Sequence, residues 1–177
     1  PEEPGSVMGP LIDEEALKKI RSYVELGTRE GRAVLEAPAP AEGYFAGPAL
    51  FADIASRARV AQEEIFGPVL AVMRAKDIEE ALALANESQY ALTGGLFSRS
   101  PANIERAKED FRAGNLYINR KITGALVGRQ PFGGFGMSGI GSKAGGPDYL
   151  LQFMNPVSVS ENTLRKGFAP MREEGRE

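Results

Sequence analysis

The sequence of 177 residues contains neither cysteine nor histidine. Without cysteine, this chain forms no disulfide, binds no metal through thiolates and offers no thiol nucleophile. Without histidine, it also lacks the side chain that proteins use most often as a general base and as a transition-metal ligand. Covalent chemistry by these residues alone would depend on serine, threonine, lysine or carboxylates, and we predict no metal site.

Long apolar runs and an excess of one charge are also missing. No apolar run approaches the roughly 20 residues needed to span a bilayer, and the first ten residues have neither the cationic nor the apolar region of a signal peptide. A net charge of −3 gives no electrostatic reason to expect nucleic acid or an anionic membrane as a partner. Because 42% of residues are hydrophobic and 25% are charged, we expect a globular, cytoplasmic protein of one domain.

Helical and strand patterns alternate along the chain. Helices are predicted from Asp13, from Asp77 and from Ser100-Pro101, each with a residue typical of helix starts. Short apolar stretches predict strands at 33–36, 49–51, 68–73, 94–98 and 115–119. The stretch 68–73 is continuously apolar, which is typical of a strand covered on both faces. Alternation of this kind predicts the α/β class, with an open, largely parallel sheet flanked by helices.

The stretch 114–147 combines a short strand with closely spaced glycines and almost no acidic residues. Glycine lets a ligand approach the backbone closely, and successive N–H groups form concavities that bind anions. The same composition suits a structural connection that needs glycine for its turns, and the residues alone leave both interpretations open. Residues 134–139 match G-x-G-x-x-G, but they lack the flanking strand and helix of a dinucleotide site, so we interpret them as a turn.

Two motifs resemble the aldehyde dehydrogenase superfamily. Residues 63–69 (EEIFGPV) resemble its nicotinamide-side motif, and residues 131–134 (PFGG) resemble a motif near the end of its catalytic domain. Within the superfamily, residues 120–128 (RKITGALVG) and 143–147 (KAGGP) resemble the Δ1-pyrroline-5-carboxylate dehydrogenases, also called L-glutamate γ-semialdehyde dehydrogenases. The resemblance covers nearly all of residues 5–160.

The resemblance implies a division of the chain. Residues 1–154 would be the C-terminal part of a catalytic domain within a longer polypeptide. Residues 155–163 would form an oligomerisation strand that reaches a partner subunit in a homo-oligomer, and the alternating pattern at 157–160 suits an edge strand. Residues 164–177 are charged and nearly free of aliphatic side chains, which predicts a disordered tail.

The resemblance also implies NAD or NADP as the cofactor and a small aldehyde as the substrate. In this family a cysteine attacks the aldehyde, hydride passes to the nicotinamide, and water releases the acid. This sequence has no cysteine, so no catalytic residue is assigned within it. We therefore predict that the 177 residues alone are inactive.

For the cofactor, the resemblance assigns Glu64 to the ribose hydroxyls beside the nicotinamide and Phe66 to packing against that region. A carboxylate suits this role because it accepts hydrogen bonds from two adjacent hydroxyls. Glu63 is expected to be solvated. Considered without the resemblance, both glutamates are solvated charges before a strand and Phe66 is an ordinary core residue.

For the substrate, the resemblance assigns the backbone amides of Gly124 and Ala125 to the α-carboxylate of glutamate semialdehyde, which would position the reacting carbon. Phe132 would exclude water and shape a small pocket, although it also suits an ordinary core position beside a turn. Lys121 and Arg129 could add a favourable field, but exposed cations are usually solvated. Asn119 also suits a cap at the end of a strand.

Two other functions fit the same residues. One is a dehydrogenase for another carboxylated aldehyde, such as succinate semialdehyde. The other is a non-catalytic oligomerisation or interaction module that keeps the fold and the assembly strand.

Overall fold

The computed structural model describes residues 8–162 of the chain and confirms the α/β class. The α-helices are α1 (Glu14–Glu30), α2 (Arg59–Gln62), α3 (Ile78–Asn86) and α4 (Pro101–Asp110). The strands are β1 (Arg32–Glu36), β2 (Ala49–Ala52), β3 (Val69–Ala71), β4 (Tyr90–Ala91), β5 (Thr93–Leu96), β6 (Asn115–Ile118) and β7 (Phe135–Gly136). A short 3₁₀ helix follows at Tyr149–Phe153.

The three longer helices begin where their capping residues predict. The side chains of Asp13, Asp77 and Ser100 each accept a hydrogen bond from a backbone N–H in the first turn of α1, α3 and α4. These bonds satisfy donors that the helix itself leaves unpaired. The apolar stripe of α1 then packs on the sheet, where Ile20 and Phe51 are the largest fully buried side chains.

The strands form three small sheets. The first has the order β1-β2-β3, with β1 antiparallel and β3 parallel to β2. The second pairs β5 with β6 in parallel, and the third pairs β4 with β7 antiparallel. Parallel pairing is therefore confirmed for β2–β3 and β5–β6, while the short segments β4 and β7 and the four-residue helix α2 were not predicted because so few residues show no periodicity.

Strand β3 differs from its prediction. It was expected to be covered on both faces, but Leu70 is 55% exposed. The physical reason is that β3 lies at the edge of its sheet and α1 packs against one face only. Apolar composition indicated burial but could not indicate which face the described residues cover.

The end of the described chain has no regular secondary structure. Residues 154–162 form neither helix nor strand, and Val157 and Val159 are 80% and 85% exposed. A strand needs a neighbour to pair with, and none of the strand pairs within 8–162 includes these residues. The predicted tail at 164–177, like residue 163 of the predicted assembly strand, lies outside the described residues. No helix among the described residues is both long and apolar enough to cross a bilayer.

Candidate functional site

A cavity of about 420 Å³ opens beside the parallel pair β5–β6. It contains Gly124, Ala125 and Phe132, the three residues assigned to the substrate, so the structure brings that set together. The remaining lining residues come from the two strands, the residue before β5 and the loop after β6: Leu92, Thr93, Tyr117, Ile122 and Thr123. The site is thus a mostly apolar pocket with a stretch of loop backbone on one side.

The loop backbone at Gly124 is held from two sides. Arg120 donates to the Thr123 carbonyl at 3.3 Å. In the amide orientation that satisfies its neighbours, Gln130 donates to the Gly124 carbonyl at 2.8 Å and accepts from Arg120 at 3.0 Å. These side chains occupy the carbonyls of the turn and leave its N–H groups to other partners.

The N–H groups of Gly124 and Ala125 have no acceptor among residues 8–162. Gly124 has φ +88°, a backbone region that glycine adopts readily and other residues rarely adopt. Two neighbouring amides without acceptors, next to a cavity, are suited to binding an anion.

Phe132 is fixed by the backbone on both sides of it. Its N–H donates to the Ala144 carbonyl at 2.9 Å, and the Ala144 N–H donates back at 2.8 Å. The Asn115 side chain donates to the Pro131 carbonyl at 2.9 Å and accepts from the Gly133 N–H at 3.2 Å. The first residue of β6 therefore holds the turn that carries Phe132, which is 38% exposed.

Lys143 joins the same region from the other side. Its ammonium donates to the carbonyl of Gly114 and, at 3.1 Å, to that of Gly133. The ammonium also lies 5.5 Å from the centroid of the Phe135 ring. Lys143 thus ties the start of β6 to the glycine-rich turn, a role that the sequence did not indicate.

Tyr117 forms a wall of the cavity that sequence reasoning missed. Its side chain is 5% exposed, and its hydroxyl has no hydrogen-bond partner within the described part of the chain. The Arg120 guanidinium lies 5.2 Å from the centroid of its ring. The signal in the sequence was its central place in the apolar stretch 115–119, which identifies a buried strand but not the pocket beside it.

Glu64 and Phe66 lie elsewhere, on the segment between α2 and β3, and neither lines this cavity. Phe66 is 85% exposed, so it is not the core residue expected from composition. It also has φ +58°, which is rare for an aromatic residue and is found at ligand sites more often than elsewhere. The Glu64 side chain is exposed, while its carbonyl accepts a hydrogen bond from the Lys19 ammonium at 2.8 Å.

Glu63 is exposed, as the sequence suggested, but its carboxylate is also paired. Arg59 donates to its two carboxylate oxygens at 2.8 and 3.0 Å, and the Tyr23 hydroxyl donates to the same carboxylate. The hydrogen bonds from Arg59 and then Tyr23 lower the pKa of Glu63 from 4.5 to about 2. The hydrogen bond between Tyr23 and Glu63 also raises the pKa of Tyr23, because ionising the tyrosine hydroxyl would remove the donor to the carboxylate.

Several remaining polar residues have structural roles. The Asn119 side chain exchanges two hydrogen bonds with the Ser98 backbone at 2.8 and 2.9 Å, which confirms its role as a strand-end cap. The Ser138 hydroxyl accepts from the Ala91 N–H at 3.1 Å. Within the 134–139 segment, which was interpreted as a turn, Phe135–Gly136 forms β7 against β4, and the chain turns directly after it. Lys121 and Arg129 are exposed, and neither lines the cavity. Residues 8–162 contain no cluster of three or more metal-binding side chains.

Comparison with known proteins places this geometry in a family. The 1-pyrroline-5-carboxylate dehydrogenase of Geobacillus sp. (strain WCH70) is 52% identical over 162 residues, which are 91% of this chain and 32% of that protein. A crystal structure of 1-pyrroline-5-carboxylate dehydrogenase from Thermus with bound NAD matches with a TM-score of 0.79 and 53% identity, over 82% of this chain and 28% of that one. Proline utilization A (PutA) from Bdellovibrio bacteriovorus, inactivated by N-propargylglycine, matches with a TM-score of 0.84 and 56% identity, over 92% of this chain and 17% of that one.

This chain therefore spans about a third of the length of the curated relatives it matches. The family model described as the aldehyde dehydrogenase family matches residues 1–159. The chain belongs to the aldehyde dehydrogenase family.

Proposed function

We propose that this chain is part of an NAD(P)-dependent dehydrogenase that oxidises L-glutamate γ-semialdehyde to L-glutamate in proline catabolism. The aldehyde is the open form of 1-pyrroline-5-carboxylate, and relatives named for that substrate are 50–52% identical to this chain. In this proposal the chain holds the substrate carboxylate and the ribose beside the nicotinamide.

The observation that carries the proposal is the pair of amides at Gly124 and Ala125, which have no acceptor among the described residues and border the cavity. A carboxylate accepts hydrogen bonds from two N–H groups at once, and such charge-assisted bonds are short and directional. The aromatic walls at Tyr117 and Phe132 would pack against the methylene groups between carboxylate and aldehyde. Binding at the far end of the substrate would position the reacting carbon.

NAD or NADP would supply the hydride acceptor when bound. The residues present fit its nicotinamide half: the exposed Glu64 carboxylate can accept from two ribose hydroxyls, and the exposed Phe66 offers an apolar surface beside them. The unusual backbone of Phe66 supports this role, because strained conformations persist where the surrounding structure holds a residue for a function.

The nucleophile must lie on residues outside this sequence, because the sequence has no cysteine. We therefore expect no NADH from the 177 residues when they are mixed with 1-pyrroline-5-carboxylate and NAD. The full-length protein, expressed with the coding region upstream of Pro1, should produce NADH under the same conditions. Activity of the 177 residues alone would contradict the assignment.

We also propose that the C-terminal stretch assembles the protein into a homo-oligomer and that the protein works in the cytoplasm. The exposure of Val157 and Val159 supports the first part, because exposed β-branched residues are suited to a strand that pairs with another strand. Deleting residues 156–162 should lower the molecular mass measured in solution to that of an assembly with fewer subunits. An unchanged mass would show that this stretch is not the assembly element.

The substrate assignment is tested by two glycine variants of the full-length enzyme. Gly124→Ala places a side chain at φ +88° on the cavity, and Gly128→Ala places one at φ +72° in the same loop, with no neighbour within 4 Å and outside the cavity lining. Both variants carry similar backbone strain, so they differ mainly in their place relative to the site. Gly124→Ala should raise KM for the semialdehyde about tenfold with little change in kcat, because it disturbs bonds to a charged group.

A substrate panel completes the test. Gly128→Ala should leave KM for the semialdehyde unchanged, and an aldehyde without a carboxylate should not distinguish Gly124→Ala from the parent enzyme. Equal KM changes in the two variants would contradict the amide assignment. A preference for succinate semialdehyde over 1-pyrroline-5-carboxylate would replace the proposed substrate with the other carboxylated aldehyde.

A further inference from the structure

The segment 63–67, which carries Glu64 and Phe66, is fixed to helix α1 at several consecutive points. The Lys19 ammonium donates to the Glu64 carbonyl at 2.8 Å, and the Tyr23 hydroxyl donates to the Glu63 carboxylate. Ile65 is buried in the same core cluster as Ile20. Each of these three contacts comes from one face of α1, where residues three or four positions apart lie side by side.

Gly67 completes this attachment. A Cβ at this position would lie 2.2 Å from the Ile20 side chain, so the backbone of the segment rests directly on α1. Four of the five residues of the segment are therefore held, while the side chains of Glu64 and Phe66 point away from the core and remain exposed. The fixed part of the segment presents its two free side chains outward.

Helix α2 is held by the same helix. The carboxylate of Glu30, at the end of α1, accepts from the Arg59 N–H at 3.2 Å and from the Val60 N–H at 2.9 Å. These are the first N–H groups of α2, which has no cap from its own preceding residue. Because Arg59 is anchored in this way, its guanidinium is placed to make both bonds to Glu63.

We propose that Tyr23 and Arg59 are positioning residues for cofactor binding: by holding the Glu63 carboxylate between α1 and α2, they fix the backbone that aims Glu64 and Phe66 at the nicotinamide riboside. The inference rests on the proposed function, since it assigns a purpose to contacts around the proposed cofactor residues. Neither Tyr23 nor Arg59 would itself touch the cofactor.

The backbone conformation of the segment explains why contacts that hold Glu63 are needed. A non-glycine residue at φ +58° tends to relax towards an ordinary conformation unless its neighbours are held. Since Glu63 and Gly67 bracket Phe66, fixing both of them keeps the strained conformation populated before the cofactor arrives. A preorganised site does not lose binding free energy to ordering these residues.

The charges around Glu63 support the same picture. Arg59 and Lys19 face it from α2 and α1, and its hydrogen bonds keep its pKa far below the usual range. The carboxylate therefore stays ionised near neutrality, so its hydrogen bonds to Tyr23 and Arg59 do not depend on pH there.

The test uses the full-length enzyme with NAD and 1-pyrroline-5-carboxylate. Tyr23→Phe removes only the hydroxyl and keeps the ring that packs on the core. Arg59→Met removes both bonds to Glu63, and Arg59→Lys restores the charge without the paired geometry. Glu25→Gln is the matched control, because Glu25 is also on α1, pairs with one arginine at 3.6 Å and is 71% exposed.

Arg59→Met should raise KM for NAD about tenfold, and Tyr23→Phe by a smaller factor, with KM for the aldehyde unchanged. Arg59→Lys should fall between the parent enzyme and Arg59→Met, and Glu25→Gln should match the parent. In a Glu63→Ala background, Tyr23→Phe and Arg59→Met should have no further effect, because residues that act through one partner are not additive.

The outcomes separate this inference from the proposed function. A parent enzyme with no NAD-dependent oxidation of 1-pyrroline-5-carboxylate would remove the proposed function and the inference with it. An active parent whose Tyr23 and Arg59 variants match Glu25→Gln in KM for NAD would overturn the inference alone. A lower melting temperature with an unchanged KM for NAD would do the same, since it would show a structural role only.

Discussion

The two proposed binding regions are held in different ways. The cofactor segment 63–67 lies against α1 and shares its core cluster, with Ile65 buried beside Ile20 and Phe51. The substrate loop at 120–134 has almost no buried side chain of its own and is held by polar contacts from Asn115, Lys143 and Gln130 to backbone groups. The cofactor segment is therefore held by apolar packing together with polar contacts to Glu63 and Glu64, whereas the substrate loop is held by polar contacts to its backbone without a buried core of its own.

The difference follows from what each region must bind. A ribose is recognised by side chains, so Glu64 and Phe66 need a rigid base and free side chains. A carboxylate bound by amides needs the backbone itself to be accessible, so large side chains cannot cover it. Polar contacts to the carbonyls on the other side then fix the loop without covering the amides.

The largest effect is expected from a substitution at Gly114, which lies against the glycine-rich turn. A Cβ there would lie 1.8 Å from the Gly133 carbonyl oxygen, a backbone atom that cannot rotate away. We expect Gly114→Ala to separate β6 from the glycine-rich turn and to lower the free energy of unfolding of the full-length enzyme by about 3 kcal/mol. The urea midpoint measures this loss, and a midpoint like that of Gly128→Ala would contradict it.

A milder change tests whether polar contacts alone hold the substrate loop. Asn115→Ala removes the bonds to Pro131 and Gly133 that fix the Phe132 turn. We expect KM for the semialdehyde to rise about fivefold, with KM for NAD unchanged. Loss of two neutral hydrogen bonds should cost about 0.5 kcal/mol each when water replaces them. Steady-state kinetics with each substrate varied in turn measures both constants, and a parallel rise in KM for NAD would show that the two regions are not independent.

The smallest effect is expected from pH on the cofactor side. The folded pKa of Glu63 is lowered from 4.5 to about 2, so its contribution to stability is present above about 4.5 and is lost only as pH falls towards 2. The dissociation constant of NAD, measured by fluorescence from about pH 8 to about pH 5, should therefore show no transition from this carboxylate. A transition in this pH range that disappears in Glu63→Gln would show that Glu63 titrates there, and it would contradict the prediction.

The sequence predicted the regular elements better than the contacts between them. Capping residues and apolar periodicity located α1, α3 and α4 because those signals are local. The sequence did not indicate the hydrogen bond from Tyr23 to Glu63, because the two residues lie 40 positions apart in the chain and only the fold brings them together. The Arg59–Glu63 spacing of four residues was a helical signal, but α2 is too short to show periodicity.

The resemblance and the structure contributed different parts of the site. Motif matching placed Gly124, Ala125 and Phe132 in one group, and the cavity contains all three. It could not indicate Tyr117, Gln130 or Asn115, because these residues act through spatial contacts and not through a motif. Nor could composition show that Phe66 is exposed, because an aromatic residue at a strained backbone position departs from the usual burial of its type.

Because the amides of Gly124 and Ala125 have no acceptor among the described residues, their hydrogen exchange can report whether an anion is bound at the site. Such amides exchange with deuterated solvent quickly, whereas the neighbouring N–H groups of Phe132 and Ala144 are engaged with each other's carbonyls and exchange slowly. A carboxylate that bound there would slow exchange at two adjacent residues and leave the flanking pair as it was. Hydrogen exchange would then distinguish a filled site from an empty one without any turnover.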